Sequence, residues 1–140
     1  MTIKTATVQM PDLQLSVVRA QRDGQPEIAA AWQTLESRLA SLKGRKFYGV
    51  CTDEQAGMVY YAGLEPLDAN EMAALGFPTL FVKGGKYARA KLLDWHNHTD
   101  QIGAIVENIE STFSTDRTRP VLEYYRSHSE LHILVPLAEG

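Results

Sequence analysis

The residues with the clearest chemical potential lie near the end of the chain, in Pro120-Val121-Leu122-Glu123-Tyr124-Tyr125. Glu123 is an acid inside a run that otherwise reads as a buried strand. An isolated buried carboxylate is costly and needs a partner. Along a strand, Val121, Glu123 and Tyr125 share one face, and Leu122 and Tyr124 share the other. This predicts that one face packs on a helix while Glu123 and Tyr125 face an open concavity. There Glu123 suits a cationic or proton-exchanging ligand. The plainer reading is an edge-strand Glu that faces water or pairs with an Arg.

Aromatic residues surround this acid in number. Phe47, Tyr48, Tyr60, Tyr61, Tyr87, Trp95, Tyr124 and Tyr125 all fall on or beside predicted strands. Tyr-rich walls stack planar ligands and offer hydroxyls, and with a carboxylate they suit lipophilic cations. Alternation turns only about half of them inward. The expected ligand-binding set is Glu123, Tyr125, Tyr48, Tyr61, Tyr87 and Trp95. Taken singly, each aromatic also fits ordinary sheet packing.

Other candidates carry less. His96 and His98 form an H-x-H pair, and His128 and His132 flank a turn. No further His or Cys completes a ligand set, so no metal is expected, and these histidines read as exposed or capping residues. Cys51 is the sole cysteine, which excludes an intrachain disulfide, and its apolar run suggests a buried, inert thiol. Gly84-Gly85 lacks the Lys-Ser/Thr of a phosphate loop and reads as a turn. The chain has no G-x-S-x-G, G-x-G-x-x-G or H-E-x-x-H, and no cofactor is expected.

The elements that must position Glu123 are legible in outline. Ile28, Trp32, Leu35, Leu39 and Leu42 predict a helix over about Pro26–Leu42, with Trp32 on its core face and Gly44 past its end. Ile102, Ile105, Val106, Ile109 and Phe113 predict a second helix, starting at Asn97 or Thr99 and ending at Phe113. A short helix, Asp68–Leu75, is closed by Gly76. Strands are expected at Gln14–Ala20, Lys46–Thr52, Met58–Glu65, Thr79–Val82, Lys86–Leu93, Val121–Arg126 and Leu131–Leu137. Polar turns join two hairpins at Asp53–Gly57 and Ser127–Glu130. The order repeats: a strand bent at Pro11-Asp12, a helix and a hairpin, then a strand bent at Gly84-Gly85, a helix and a hairpin. The fold class is therefore α+β. It is a duplicated strand–helix–strand–strand unit, two antiparallel sheets with a helix each and a central ligand cleft.

Composition frames these readings. The chain has 140 residues, 44% hydrophobic and 22% charged, so one globular domain over 1–140 is expected, with pseudo-repeats at about 5–66 and 77–138. The net charge of −3 and scattered cations argue against direct DNA binding. Lys43, Arg45 and Lys46 read as a solvated helix end. No stretch approaches a membrane span or a secretory leader, so the protein is expected to be cytoplasmic, with no membrane partner.

The ordered series resembles the GyrI-like small-molecule-binding family, also called the AraC-type effector-binding domain. "VQMPDLQLSVVRAQRDG" resembles its opening bent strand, and "IAAAWQTL" its first helix with the tryptophan at Trp32. "FYGVCTDE" and "YYAGLEP" resemble its first hairpin. "FVKGGKYARAKL" resembles its Gly-x-Tyr-Ala strand, and "RPVLEYY" with "LHILVPL" its closing hairpin. The resemblance implies a pocket between the halves with Glu123 and Tyr125 of the Glu-x-Tyr element inside it. It implies a small-molecule partner, aromatic or cationic, and leaves a homodimer open. It also implies two alternatives: a hydrolase of reactive cyclopropane-type toxins using Glu123 as general acid/base, and a gyrase-interacting inhibitor. The length leaves no space for the helix-turn-helix that many relatives carry, so a stand-alone binder is expected.

Overall fold

The computed structural model describes residues 4–20, 25–54 and 57–139. It is an α+β fold of eight strands and three α-helices: β1 (Thr5–Met10), β2 (Leu13–Arg19), α1 (Gln25–Glu36), β3 (Phe47–Glu54), β4 (Gly57–Leu64), α2 (Ala69–Leu75), β5 (Thr79–Val82), β6 (Gly85–Leu93), α3 (Ile102–Thr112), β7 (Val121–Tyr125) and β8 (Glu130–Pro136). Two 3-10 turns, Trp95–Asn97 and Thr99–Gln101, precede α3. Among the described residues no helix is long and apolar enough to cross a membrane.

Two separate sheets were expected. The strands instead form one curled antiparallel sheet in the order β1-β6-β8-β7-β3-β4-β2-β5. Two contacts join what would have been halves. β3 pairs with β7 across the middle, Gly49 facing Glu123. The two bent strands also pair with each other on both sides of their bends. β1 lies on β6 from Thr5↔Ala90 to Met10↔Gly85, and β2 lies on β5 from Leu13↔Val82 to Ser16↔Thr79, in one unbroken register. Pro11 ends β1 because it has no N–H to donate. Asp12 then takes the Gly84 N–H at 2.7 Å and fastens one bend to the other.

Both faces of the curled sheet are buried along its central strands, β7 and β8 among them. The inner face is an apolar core of Leu13, Leu15, Val17, Tyr48, Val50, Val82, Tyr87, Leu122 and Leu134. The outer face carries the helices. α1 seats Ala31 and Leu35 on Tyr60, Ala62 and Leu64. α3 seats Ile105 and Ile109 on Ala88, Ala90, Ile133 and Val135. Leu35 and Ile109 are fully buried, each contributing roughly 1.5–3 kcal/mol of transfer free energy.

The helices start and stop differently from their apolar periods. α1 ends at Glu36, well short of Leu42. Beyond it the chain tightens, with Leu39 N–H on the Glu36 carbonyl, and Arg38 Nη1 reaches the Leu75 carbonyl at 2.6 Å. Gly44, at φ 74°, belongs to a separate turn and caps nothing. Arg45 is not a solvated helix-end cation, because it pairs with Glu71 on α2. α3 begins at Ile102 because Asn97 is turned back onto Asp94, 3.0 Å away. α2 is closed by Gly76, at φ 69°, as expected, and Asp68 stands before it as an N-cap that accepts from Glu71 N–H at 2.8 Å. The middle of the expected Asp53–Gly57 turn lies outside the described residues.

Candidate functional site

Glu123 stands at the middle of β7, between β8 and β3, and is therefore on a central strand rather than an edge. Its neighbours across the ladders are Ile133 and Gly49. Alternation holds as expected along β7, but the assignment of faces does not. Val121 and Tyr125 pack with the α3 cluster, so Glu123 lies on the helix-covered face, between the cores under α1 and α3. Leu122 and Tyr124 belong to the inner core instead.

The carboxylate is held by phenols. Tyr125 donates its hydroxyl to Glu123 Oε1 at 2.7 Å, and Tyr60 donates to the same oxygen at 3.0 Å. Tyr60 reaches it from β4, one strand beyond β3, by passing over Gly49. A Cβ on Gly49 would stand 2.3 Å from the Tyr60 hydroxyl and 2.5 Å from Oε1. The Tyr60 oxygen in turn accepts the Trp32 indole N–H at 3.1 Å, which ties α1 to the acid. Oε2 makes no hydrogen bond among the described residues. Among them no Lys, Arg or His forms a salt bridge with Glu123.

Aromatic rings wall the site. Tyr125 lies edge-on to Trp32 at 5.3 Å and to Trp95 at 5.1 Å between centroids. Trp32 also meets Phe47 at 6.1 Å. Trp95 is fixed by its N–H to the Ser127 carbonyl at 3.1 Å. The two indoles thus come from α1 and from the turn before α3, and they close over Tyr125. Glu123 and Tyr60 are each only 8% exposed.

Electrostatics follow from this burial. Loss of hydration pushes the Glu123 carboxyl up from the ordinary range, and the two phenol hydrogen bonds partly offset it. Burial, then the Glu123 charge, pushes the Tyr60 and Tyr125 phenols far up as well. Both tyrosines therefore stay protonated donors at neutral pH, and the proton in play belongs to Glu123. The arrangement suits holding a cation at Oε2 or passing a proton there.

Of the six residues expected in the pocket, Glu123, Tyr125 and Trp95 come together. Tyr48, Tyr61 and Tyr87 lie on the opposite face, in or against the inner core. Tyr48 stacks on Tyr124 at 5.0 Å, and Tyr87 donates to the Pro120 carbonyl at 3.3 Å. Two members were missed. Tyr60 differs from Tyr61 by one step of strand phase, and Trp32 read as core. The bare Gly49 inside an otherwise bulky strand was the available signal for close approach. Cys51 is half-buried on this same face, opposite Tyr60. His132 is buried in β8 against Tyr124 rather than exposed. Among the described residues no three His, Cys, Asp or Glu could hold a metal ion together.

The hydrogen-bond chain makes one prediction. Trp32→Phe keeps the ring wall but removes the donor to Tyr60. It is expected to cost about 1 kcal/mol, read from the urea midpoint at constant slope. An unchanged midpoint would show that the indole N–H is idle.

No protein-family profile and no curated protein matches the sequence. Solved structures share the fold. SAV2435 bound to tetraphenylphosphonium superposes with a TM-score of 0.72 at 16% identity, covering 97% of this chain and 94% of that one. An integron cassette protein from the mobile metagenome of Vibrio cholerae gives 0.70 at 15%, covering 96% and 95%. A hydrolase from Listeria innocua gives 0.61 at 11%, covering 97% and 92%. At these identities the likeness is one of fold, carried over nearly the full length of each chain.

Proposed function

We propose that this chain is a GyrI-like small-molecule-binding domain, and that Glu123 receives an aromatic cation between α1 and α3. The observation that carries the reading is a buried carboxylate with one oxygen loaded by two phenols, the other free, and no cation beside it among the described residues. Such an acid is costly unless a positive ligand completes it. Trp32, Trp95 and Tyr125 supply flat faces for an aromatic cation. The SAV2435 complex supports the same choice, because its ligand, tetraphenylphosphonium, is a cation surrounded by rings. Trp32 and Trp95 part to admit the ligand. The palindromic strand order, in which β1–β4 and β5–β8 exchange places end for end, supports an internal duplication over about 5–66 and 77–138.

The pH dependence tests this reading. Glu123 binds its proton more tightly in the fold than in the unfolded chain. Stability therefore falls as pH rises from the unfolded pKa to the raised folded one, then levels. A cation favours the ionised form, so its affinity rises with pH up to the raised folded pKa and then levels, by at most about tenfold per pH unit. Below the folded pKa, binding expels a proton. Calorimetric titration with tetraphenylphosphonium in buffers of different ionisation enthalpy should detect that release. Binding with no proton release at any pH would remove Glu123 from the site.

A hydrolytic role has one observation in its favour, an acid whose raised pKa suits proton transfer in a fold shared with a hydrolase. Mass spectrometry of an electrophilic cyclopropane substrate incubated with the protein and with a Glu123→Ala control separates turnover from binding.

A further inference from the structure

A second buried charge, Arg119, plays no part in the site above. Its side chain is 7% exposed and stands in the connection from α3 to β7. Nε donates to Asp116 Oδ2 at 2.9 Å, and Nη2 donates to the carbonyls of Leu137 at 2.7 Å and Lys86 at 3.3 Å. The Tyr87 ring lies beneath the guanidinium at 5.0 Å. The remaining nitrogen, Nη1, is buried without a partner.

Arg119 lines one of two adjoining open grooves. One, about 650 Å³, runs between the two strand bends past Asp12 and Gly85. The other, about 500 Å³, runs along Arg117 and Arg119. Lys83, Gly84 and Glu139 line both. Nη1 presses on the bare side of Gly85, where a Cβ would stand 2.7 Å from it and 3.1 Å from Glu139 Oε1. A carboxylate therefore already reaches this spot. Glu139 Oε1 accepts the Lys86 N–H at 3.3 Å, a long bond, while Nη1 stays unpaired. The other acids are committed: Asp116 to Arg119 and Thr118, Asp12 to the Gly84 N–H.

We propose that Arg119 Nη1, the Lys86 N–H and Lys83 form a second ligand site, for a small carboxylate anion, which exposed Glu139 shields until it is displaced. One nitrogen of a buried guanidinium left unpaired is a standing cost that an anion removes. A two-oxygen group can take the Nη1 N–H with one oxygen and the Lys86 N–H, freed from Glu139, with the other. Lys83 and the exposed Arg117 supply attraction at the rim.

The test follows the Gly85 and Lys86 amides by nitrogen-15 NMR, with sodium acetate and, separately, inorganic phosphate, at constant ionic strength made up with chloride. Acetate should give saturable shifts. Glu139→Gln should tighten it about threefold and Lys83→Gln weaken it about threefold, the size of a screened surface charge. Arg119→Lys should abolish it. That variant also disturbs the three bonds that Arg119 donates to Asp116, Leu137 and Lys86, so Lys83→Gln and Glu139→Gln carry the test if it does not fold. Glu123→Gln should leave acetate binding unchanged, which separates this site from the aromatic one. Shifts that do not saturate, or that chloride reproduces, would reduce the effect to ionic strength alone and overturn the site. Saturation by phosphate but not acetate would overturn the carboxylate assignment.

Discussion

Glu123→Gln is expected to weaken tetraphenylphosphonium binding by about 30-fold or more, since losing one partner of a desolvated charge pair costs about 2–5 kcal/mol. The same change is expected to leave folding stability equal or higher at pH values above the folded pKa of Glu123. Gln keeps an acceptor for Tyr60 and Tyr125, and it removes a charge that the fold must otherwise desolvate. The two signs oppose each other, and that opposition is the diagnostic. A residue needed only for structure would lose stability along with affinity. Fluorescence titration and urea unfolding on the same samples read both. Affinity within a factor of two of the parent would dismiss the charge as the source of recognition.

Gly49→Ala should be strongly damaging for so small a substitution. Its Cβ would enter the space between the Tyr60 hydroxyl, at 2.3 Å, and Glu123 Oε1, at 2.5 Å. Neither atom is free to yield. Tyr60 is bonded to Trp32 and Glu123, and Glu123 is bonded to Tyr125, which lies between two indoles. Overpacking of this kind costs about 1–3 kcal/mol, and the full range is expected here. It should also disperse the near-ultraviolet signal of the tryptophans and abolish cation binding. Gly103→Ala is the control, because a Cβ there meets nothing within 4 Å and α3 gains a better helix former. It should be neutral or stabilising by up to about 1 kcal/mol. Equal losses from both substitutions would place the cost in backbone conformation rather than in the acid's surroundings.

Much of the architecture was legible because punctuation residues dominate it. Pro11-Asp12, Gly84-Gly85, and Asp68 with Gly76 act through local backbone chemistry, and the bends and α2 lie where those residues put them. Two kinds of information were not local. The apolar period of α1 runs on to Leu39 and Leu42, yet the helix stops where Arg38 finds a carbonyl on α2. The side of β7 that meets the helices was also hidden. Val121 and Tyr125 are as apolar as Leu122 and Tyr124, so a strand buried on both faces carries no mark of which is which. The same ambiguity exchanged Tyr61 for Tyr60. The acid and its Tyr125 neighbour were readable from spacing two apart. The phenol from β4 depended on a cross-strand register that only the folded sheet sets.

The pairing of the two bent strands also dictates when the molecule can finish folding. Thr5 must wait for Ala90, and Leu13 for Val82. On the ribosome, β1 and β2 emerge long before their partners and must search the slow, non-local part of the folding landscape. The hairpins β3–β4 and β7–β8 close over short distances and can form first. In pulsed hydrogen exchange during refolding, the amides of β3, β4, β7 and β8 should gain protection ahead of those of β1. Simultaneous protection would mean that the strand exchange between the two ends is itself the nucleus.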